Sequence, residues 1–366
     1  MRAQNLSACG YERPTSPTLE RLVAEGHHLN CTAIAPGSWT LPSHASYFTG
    51  LEAPEHGAHA TETLAPETGG RPLGAARPLA PEFETLAELH PGAVLVSGNP
   101  VLAPSSGLDQ GFRNTHVAER FGTLYGEDFL KALEDSLDEV QDGDLLVLNI
   151  ADAHQPWTSI EEDHPWLPAR RAIRWRPHKA GNLWRHWHHG ERQKPKTRKA
   201  MLDLYDFAVW RADQTLDGAL RRVSKRFEVA HLSLTSDHGE NLGEGDLLGH
   251  GHYLTDPNQG VFVLSSDPVP KGLINATVVY DLVRGQPVQD HPVRAAAWPN
   301  RKKASYLENG LYTHTSVRTW APDAQWTTPE PVPEGPLNAF VTTTLASTAS
   351  ESDPELEKSL EALGYF

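Results

Sequence analysis

The sequence predicts an α/β fold with a largely parallel sheet and a small C-terminal antiparallel annex. Three observations carry this: short apolar runs bounded by turn residues, amphipathic stretches between them, and polar clusters directly after several runs. The stretch Ser16–Val23 reads as a helix, with Ser16 as its cap and Pro17 at its first position. Ala93–Val96 is a short buried strand that ends at Ser97-Gly98-Asn99-Pro100. Leu145–Ile150 is a second strand. His231–Thr235 is a third, after a helix over Lys199–Val223, and Val261–Leu264 is a fourth. Residues 64–81 and 320–336 are loops rich in Pro, Gly and Thr. Beyond about residue 286 the pattern shortens and alternates, as in Ala304–Leu311 and Tyr312–Trp320. That predicts the annex, followed by a polar tail and a last helix over Glu355–Leu363. The expected division is a main unit over 1–286 and a subdomain over 287–366.

Composition narrows the function. The 366 residues hold 47 Asp+Glu against 32 Lys+Arg, a net charge of −15. With 39% hydrophobic and 22% charged residues, the chain can bury a core and is no disordered acidic tail. An acidic body argues against a nucleic-acid binder, because phosphate backbones need a basic surface. There is no apolar run of about 18 residues, so no membrane span is expected. The opening residues MRAQNLSACG form no apolar signal core. Cys9 and Cys31 are too few for a disulfide framework or a Cys-rich zinc site. Together these features predict a cytoplasmic protein; the oligomeric state is left open.

Charge is uneven. Residues 170–199 carry eleven Arg/Lys and one acid, Glu191, which leaves the rest of the chain at −25. Trp175, Trp184, Trp187, His178, His186, His188 and His189 lie in the same stretch. It reads either as a solvated face or as a flap that concentrates anions. Aspartate is also uneven: the first in the chain is Asp109.

Active sites of open α/β sheets gather at the carboxyl ends of strands. The strand at 231–235 runs into Ser236-Asp237-His238-Gly239-Glu240. An adjacent carboxylate and imidazole suit Mn, Zn or Mg better than a soft metal. The strand at 145–150 runs into Ala151-Asp152-Ala153-His154, where His154 is placed to donate to an anionic oxygen. A third segment, Ser38–Gly50, holds Thr40 two residues before Pro42. With Pro42 opening a helix, Leu41 would be its cap and Thr40 would lie just outside. A hydroxyl there, beside a metal, could attack a phosphoryl or sulfuryl centre.

These segments resemble the sulfatase branch of the alkaline phosphatase superfamily. RAQNLSACGYERPTSPTLERLVAEG at 2–26 is similar to the family's opening, and WTLPSHASYFTGLEAPEHG at 39–57 to its nucleophile signature. Asn99-Pro100 with Gly107–Phe112, Leu204-Tyr205-Asp206 with Asp213, TSDHGENLGEGDLLGHG at 235–251 and the closing Leu360–Tyr365 follow in the family's order. The resemblance implies an alkaline phosphatase-like fold and a metal-dependent hydrolase of sulfate or phosphate esters. It places Thr40 as nucleophile and metal contact, and Asp237 and His238 as ligands of one divalent ion (Mn, Mg, Ca or Zn). His154 and His250 would bind the transferred group or protonate the leaving oxygen. His44, standing where sulfatases carry arginine, would bind near the nucleophile, and His56 would be structural. His252 falls out of register as a ligand. The implied substrate is a small anionic ester, such as a sugar sulfate or phosphodiester, with no nucleic acid or membrane involved. A phosphotransferase or an inactive anion-binding relative are the alternatives.

Two departures shape these expectations. Thr40 cannot become formylglycine, so no such cofactor is expected and the ester would form on threonine itself. The family also opens with an apolar strand ending in metal-binding aspartate, where this chain has Met1-Arg2-Ala3. The expectation is that the true start lies upstream of Met1, and that lacking the strand leaves a gap in the sheet and a half-built metal site.

Overall fold

The computed structural model describes residues 1–62, 74–155, 157, 164–167, 195–244, 247–251, 254–291, 293–296, 304–308, 311–315 and 353–362. Most of the basic stretch (168–194), residues 63–73 and 316–352, and His252 lie outside the described residues.

Helix α1 (Pro17–Ala24) leads into β1 (His28–Ile34), α2 (Thr40–Thr49) and α3 (Ala53–His56). A hairpin of β2 (Ala60–Glu62) and β3 (Gly74–Ala76) follows, then α4 (Leu86–Leu89), β4 (Val94–Ser97) and β5 (Asn114–Val117). Next come α5 (Glu127–Ser136), β6 (Leu146–Asn149), the long α6 (Pro195–Arg226) and β7 (Ser233–Thr235). The small ribbon β8 (Asn241–Leu242) and β9 (Leu248–Gly249) precedes α7 (Asp256–Gln259), β10 (Gly260–Ser265), β11 (Ile274–Asn275) and α8 (Val278–Val283). The chain continues through β12 (Arg294–Ala296), β13 (Ala304–Glu308), β14 (Leu311–Thr315) and α9 (Pro354–Ala362).

The strands make two principal sheets, of order β11-β1-β10-β7 and β5-β4-β6, and a separate antiparallel sheet β12-β13-β14. Both neighbours of β4 run parallel to it, as does β11 to β1, while β10 is antiparallel to β1 and β7. The expected strands at 93–96, 145–150, 231–235 and 261–264 are all present with shifted ends. Strand β1 was not expected. Its sequence, His-Leu-Asn-Cys-Thr-Ala-Ile, lacks a continuous apolar run, and its pairing with β10 and β11 compensates for that. Strand β4 is buried throughout, whereas β6 and β7, each at one edge of its sheet, are half-buried at every position.

One core cluster joins Trp39, Leu41 and Phe48 of the α2 region to Leu95, Val261 and Val263 of the sheets. Leu356 and Leu360 of α9 bury in the same cluster, so the last helix packs on this core. A second cluster sets Leu204, Tyr205 and Val209 of α6 against Leu19, Leu22 and Phe262. Beside it, Arg13 bridges Asp203 and Asp206 of α6 at 2.7 and 2.8 Å, and Asn5 also donates to Asp206. The motif Leu204-Tyr205-Asp206 thus anchors the N-terminal segment.

Cys9 and Cys31 form a disulfide, tying the turn before α1 to β1 across a separation of 22 residues. Two cysteines were expected to carry no framework, yet one bridge over this length stabilises by about 3 kcal/mol. No helix among the described residues is long and apolar enough to cross a membrane.

Candidate active site

The carboxyl ends of β4, β6 and β7 and the first turn of α2 converge on one place. Helix α2 begins at Thr40 itself, with Trp39 as an extended cap residue at φ −159° and ψ 175°. This corrects the expectation that Leu41 caps and Pro42 opens the helix. Proline is tolerated anywhere in a first turn, because that turn's N–H groups have no intrahelical acceptor. Every residue of α2 is buried, which fixes Thr40 from all sides.

The Thr40 hydroxyl donates to Asp237 Oδ2 at 2.9 Å and accepts from Asn99 Nδ2 at 3.0 Å. Asn99 lies at the carboxyl end of β4, and its backbone is locked by a turn in which Ser97 Oγ accepts from Asn99 N. Asn99 was noted only as part of a motif. A polar side chain directly after a buried strand was the signal that could have placed it here.

His44 sits one helical turn from Thr40 and brackets the site. Asn149 Nδ2 donates to its Nε2 at 2.9 Å, so the ring proton is on Nδ1, which donates to the Thr40 carbonyl at 3.1 Å. Burial lowers its pKa, against the pull of Asp237 at 3.7 Å, so His44 is a neutral ring. The resemblance offered it as a substrate ligand; both of its nitrogens are engaged by the protein.

Burial works to raise the Asp237 pKa, but the facing His238 and His44 and the hydrogen bond from the Thr40 hydroxyl outweigh it and hold the carboxyl well below its usual range. Asp237 is therefore an ionised, half-buried carboxylate. His238 Nδ1 donates to the Gly239 carbonyl at 2.8 Å, which leaves its Nε2 lone pair on the Asp237 side, 3.5 Å from Oδ2. Burial keeps this ring neutral too. Gly239 is required here by space: a Cβ would meet the Pro257 carbonyl oxygen at 2.0 Å.

His238, His250 and His154 form a row of rings, with centroids 4.1 Å and then 5.3 Å apart. Phe121 stacks on His154 at 3.7 Å with ring planes within 5°. His154 Nδ1 donates to the Gln155 carbonyl, and its buried Nε2 has no hydrogen-bond partner. Burial first, and the neighbouring His250 second, push its pKa down to about 3. His154 is therefore a neutral ring with a lone pair on Nε2, a proton acceptor rather than the donor anticipated from sequence.

Among the described residues no group of three or more His, Cys, Asp or Glu side chains converges as a metal cage. The donor chemistry nevertheless fits a divalent cation on one side. Asp237 is ionised, His238 presents Nε2 beside it, and the Thr40 oxygen lies against the same carboxylate. This set of two oxygens and one imidazole matches hard and borderline metals.

His56 is structural. Ala58 N–H donates to its Nδ1 at 3.0 Å, so its Nε2–H bonds Ser46 Oγ at 3.1 Å. Burial, then the charge of His59, push its pKa down to about 3. The folded value lies below the unfolded one, so this stability is present above pH 6.5 and lost as pH falls towards 3. The loss from His56 alone is on the order of 4 kcal/mol. Chemical denaturation at pH 7, 5 and 4 is expected to show a shallower acid loss for His56→Gln than for the parent chain. Identical slopes would remove His56 from the acid response.

No protein-family model matches the chain, and no curated protein matches it either. Among solved structures, a 2-O GAG sulfatase is similar over 98% of this chain and 94% of its own, at TM-score 0.55 and 12% identity. The phosphonate monoester hydrolase of Agrobacterium radiobacter is similar over 86% of both chains, at TM-score 0.53 and 14% identity. The C-terminal periplasmic domain of phosphoethanolamine transferase EptC from Campylobacter jejuni covers 78% of this chain and 84% of its own, at TM-score 0.50 and 14% identity. At such identities the likeness is one of fold. The chain has the alkaline phosphatase-like α/β fold that sulfatases, a phosphonate monoester hydrolase and phosphoethanolamine transferases share.

Proposed function

We propose that this protein is an ester-acting enzyme, a hydrolase of phosphate or sulfate esters that works through a covalent ester on Thr40. One observation carries the reading: the Thr40 hydroxyl is held between the Asp237 carboxylate and the Asn99 amide at hydrogen-bond distance, with His238 beside them. A structural threonine at a helix start has no need of an ionised aspartate at its hydroxyl.

Thr40 Oγ would bond to the phosphorus or sulfur as its proton leaves through the hydrogen bond to Asp237, while the bond to the ester's alkoxide or aryloxide breaks and that leaving group takes up a proton from solvent. Asp237 orients the hydroxyl, and Asn99 donates to its oxygen, which stabilises the charge that develops there. A divalent cation held by Asp237, His238 and Thr40 would supply charge neutralisation and lower the hydroxyl pKa. His154, neutral with its lone pair on Nε2, is suited to take a proton from the water that then cleaves the Thr40 ester. His250, in ring contact with both His238 and His154, completes the wall of the transferred group's site.

The fold is shared with phosphoethanolamine transferases, so a second reading has the same Thr40 ester passing to an alcohol instead of water. A panel of aryl phosphate, phosphodiester, phosphonate and sulfate esters tests both, run with Mn, Mg, Ca and Zn and with and without an added alcohol. Turnover that depends on the cation supports the hydrolase. Alkyl ester product in the presence of the alcohol supports the transferase. A full panel without turnover would overturn both and favour an anion-binding protein.

The cytoplasmic location is likewise a proposal, and the Cys9–Cys31 pair tests it. Disulfides persist in oxidising compartments and are rare where glutathione keeps thiols reduced. Alkylation of freshly quenched cells, followed by mass spectrometry of the two peptides, is expected to find both thiols free if the protein resides in the cytoplasm. A bridge intact at quenching would overturn that location.

A further inference from the structure

Glu240 lies outside the chemistry described so far, yet it is one of the most deeply held carboxylates in the molecule. It is 4% exposed. Its backbone N–H donates to the Pro257 carbonyl at 3.0 Å, and its carbonyl accepts from the Arg2 guanidinium at 3.1 Å. Its Oε2 lies 3.0 Å from His250 Nδ1, and its Oε1 is buried with no hydrogen-bond partner. A buried carboxylate is costly unless its environment uses it.

The segment that carries His250 is pinned with equal care. Asn241 Nδ2 donates to the Gly249 carbonyl at 2.7 Å, on one side of the histidine. On the other side Gly251 N–H donates to the Ser38 carbonyl at 2.9 Å, and Ser38 Oγ donates back to the Gly251 carbonyl at 2.7 Å. The β8–β9 ribbon therefore sets Glu240 and His250 opposite each other, and Ser38 couples the histidine's backbone to the turn that precedes Thr40. The backbone on both sides of the ring is fixed; the plane of the ring and the nitrogen that holds its proton are set by what the side chain meets.

We propose that Glu240 is a positioning residue for the ester chemistry of the preceding section, on which this inference rests: it fixes the Nδ1–H tautomer and the plane of the His250 ring. A carboxylate can only accept, so the nitrogen facing it must carry hydrogen. In the neutral ring the lone pair is then on Nε2, the arrangement also seen at His154 and His238. All three rings of the row would direct the same kind of nitrogen away from their backbone-side anchors. Without Glu240, His250 would revert towards the Nε2–H tautomer that imidazoles favour in water, and one acceptor in the row would become a donor.

The test is nitrogen-15 NMR of histidine-labelled, metal-free protein at a pH where the ring is neutral, with His250 assigned by its loss in His250→Gln. The wild type is expected to carry the proton on Nδ1, as is Glu240→Gln, whose amide oxygen still accepts. In Glu240→Ala the Nε2–H form is expected to appear. On the best substrate of the panel, Glu240→Ala is expected to lower kcat about 10- to 100-fold with KM within about 3-fold, and Glu240→Gln to recover most of it. The double variant Glu240→Ala/His250→Ala is expected to be no slower than His250→Ala alone. A wild-type His250 protonated on Nε2, or an unchanged tautomer in Glu240→Ala, overturns the proposal. The wild-type spectrum decides it even if the alanine variant fails to fold. The spectroscopic arm needs no turnover, so its outcome is separate from that of the ester-hydrolase reading.

Discussion

Thr40→Ala is expected to lower ester turnover by at least about 10³-fold, with the fold retained. The methyl side chain still fits the fully buried start of α2, and the helix keeps Trp39 as its cap residue. What is lost is the one oxygen that both Asp237 and Asn99 address. Leaving these two polar groups without it costs about 1–3 kcal/mol of stability, so a somewhat lower melting temperature is part of the expected result. Thr40→Ser keeps the hydroxyl and is expected to retain turnover within about tenfold, since only the β-branch that restricts the side chain is removed. The direct measurement is the mass of the tryptic peptide spanning Thr40, from enzyme quenched during turnover. It is expected to carry a phosphoryl or sulfuryl group in the parent chain and none in Thr40→Ala. Turnover that survives the alanine change would take Thr40 out of the mechanism.

Asp237→Asn is expected to abolish both turnover and stabilisation by divalent cations. The substitution preserves shape and removes the carboxylate charge to which Thr40 donates and which His238 and His44 face. In the parent chain a cation at about 100 times its Kd would add about 2.7 kcal/mol to stability, a shift of a few degrees in the melting temperature. Melts with Mn, Mg, Ca and Zn should show that shift for the parent and none for Asp237→Asn. Parent melts that ignore every cation would remove the metal from the proposal. The pH sign is also defined. The folded pKa of Asp237 lies below its unfolded value, so its contribution is present above about pH 4 and is lost only as pH falls through the folded value. Acid unfolding between pH 6.5 and 3 is therefore assigned to neutral buried rings such as His56 and His154, not to Asp237.

Much of this site was legible along the chain because it lies at strand ends. Asp237, His238 and His154 each follow an apolar run, and a run that ends in polar residues marks the carboxyl edge of a sheet. Thr40 was legible through its motif, though the exact start of its helix was not. An N-cap is set by backbone dihedrals, and Trp39 is not a residue that signals one. The roles of Asn99, Asn149 and Glu240 were not legible because they lie in partners 59, 105 and 10 residues away. The roles of the histidines were hidden for a related reason. A ring's tautomer depends on which nitrogen meets a carbonyl, a carboxylate or an amide, and those partners come from other elements.

By itself the sequence determined the α/β class, the main strands, the acidic surface with its basic stretch, and the residue types gathered at the strand ends. These follow from periodicity, composition and order along the chain, which are local properties. Only the tertiary structure decided that Thr40 is held between Asp237 and Asn99, that Cys9 meets Cys31, and that His44, His154 and His238 are neutral rings with assigned protons. The physical reason is that charge state and hydrogen-bond direction depend on burial and on groups brought together from distant parts of the chain.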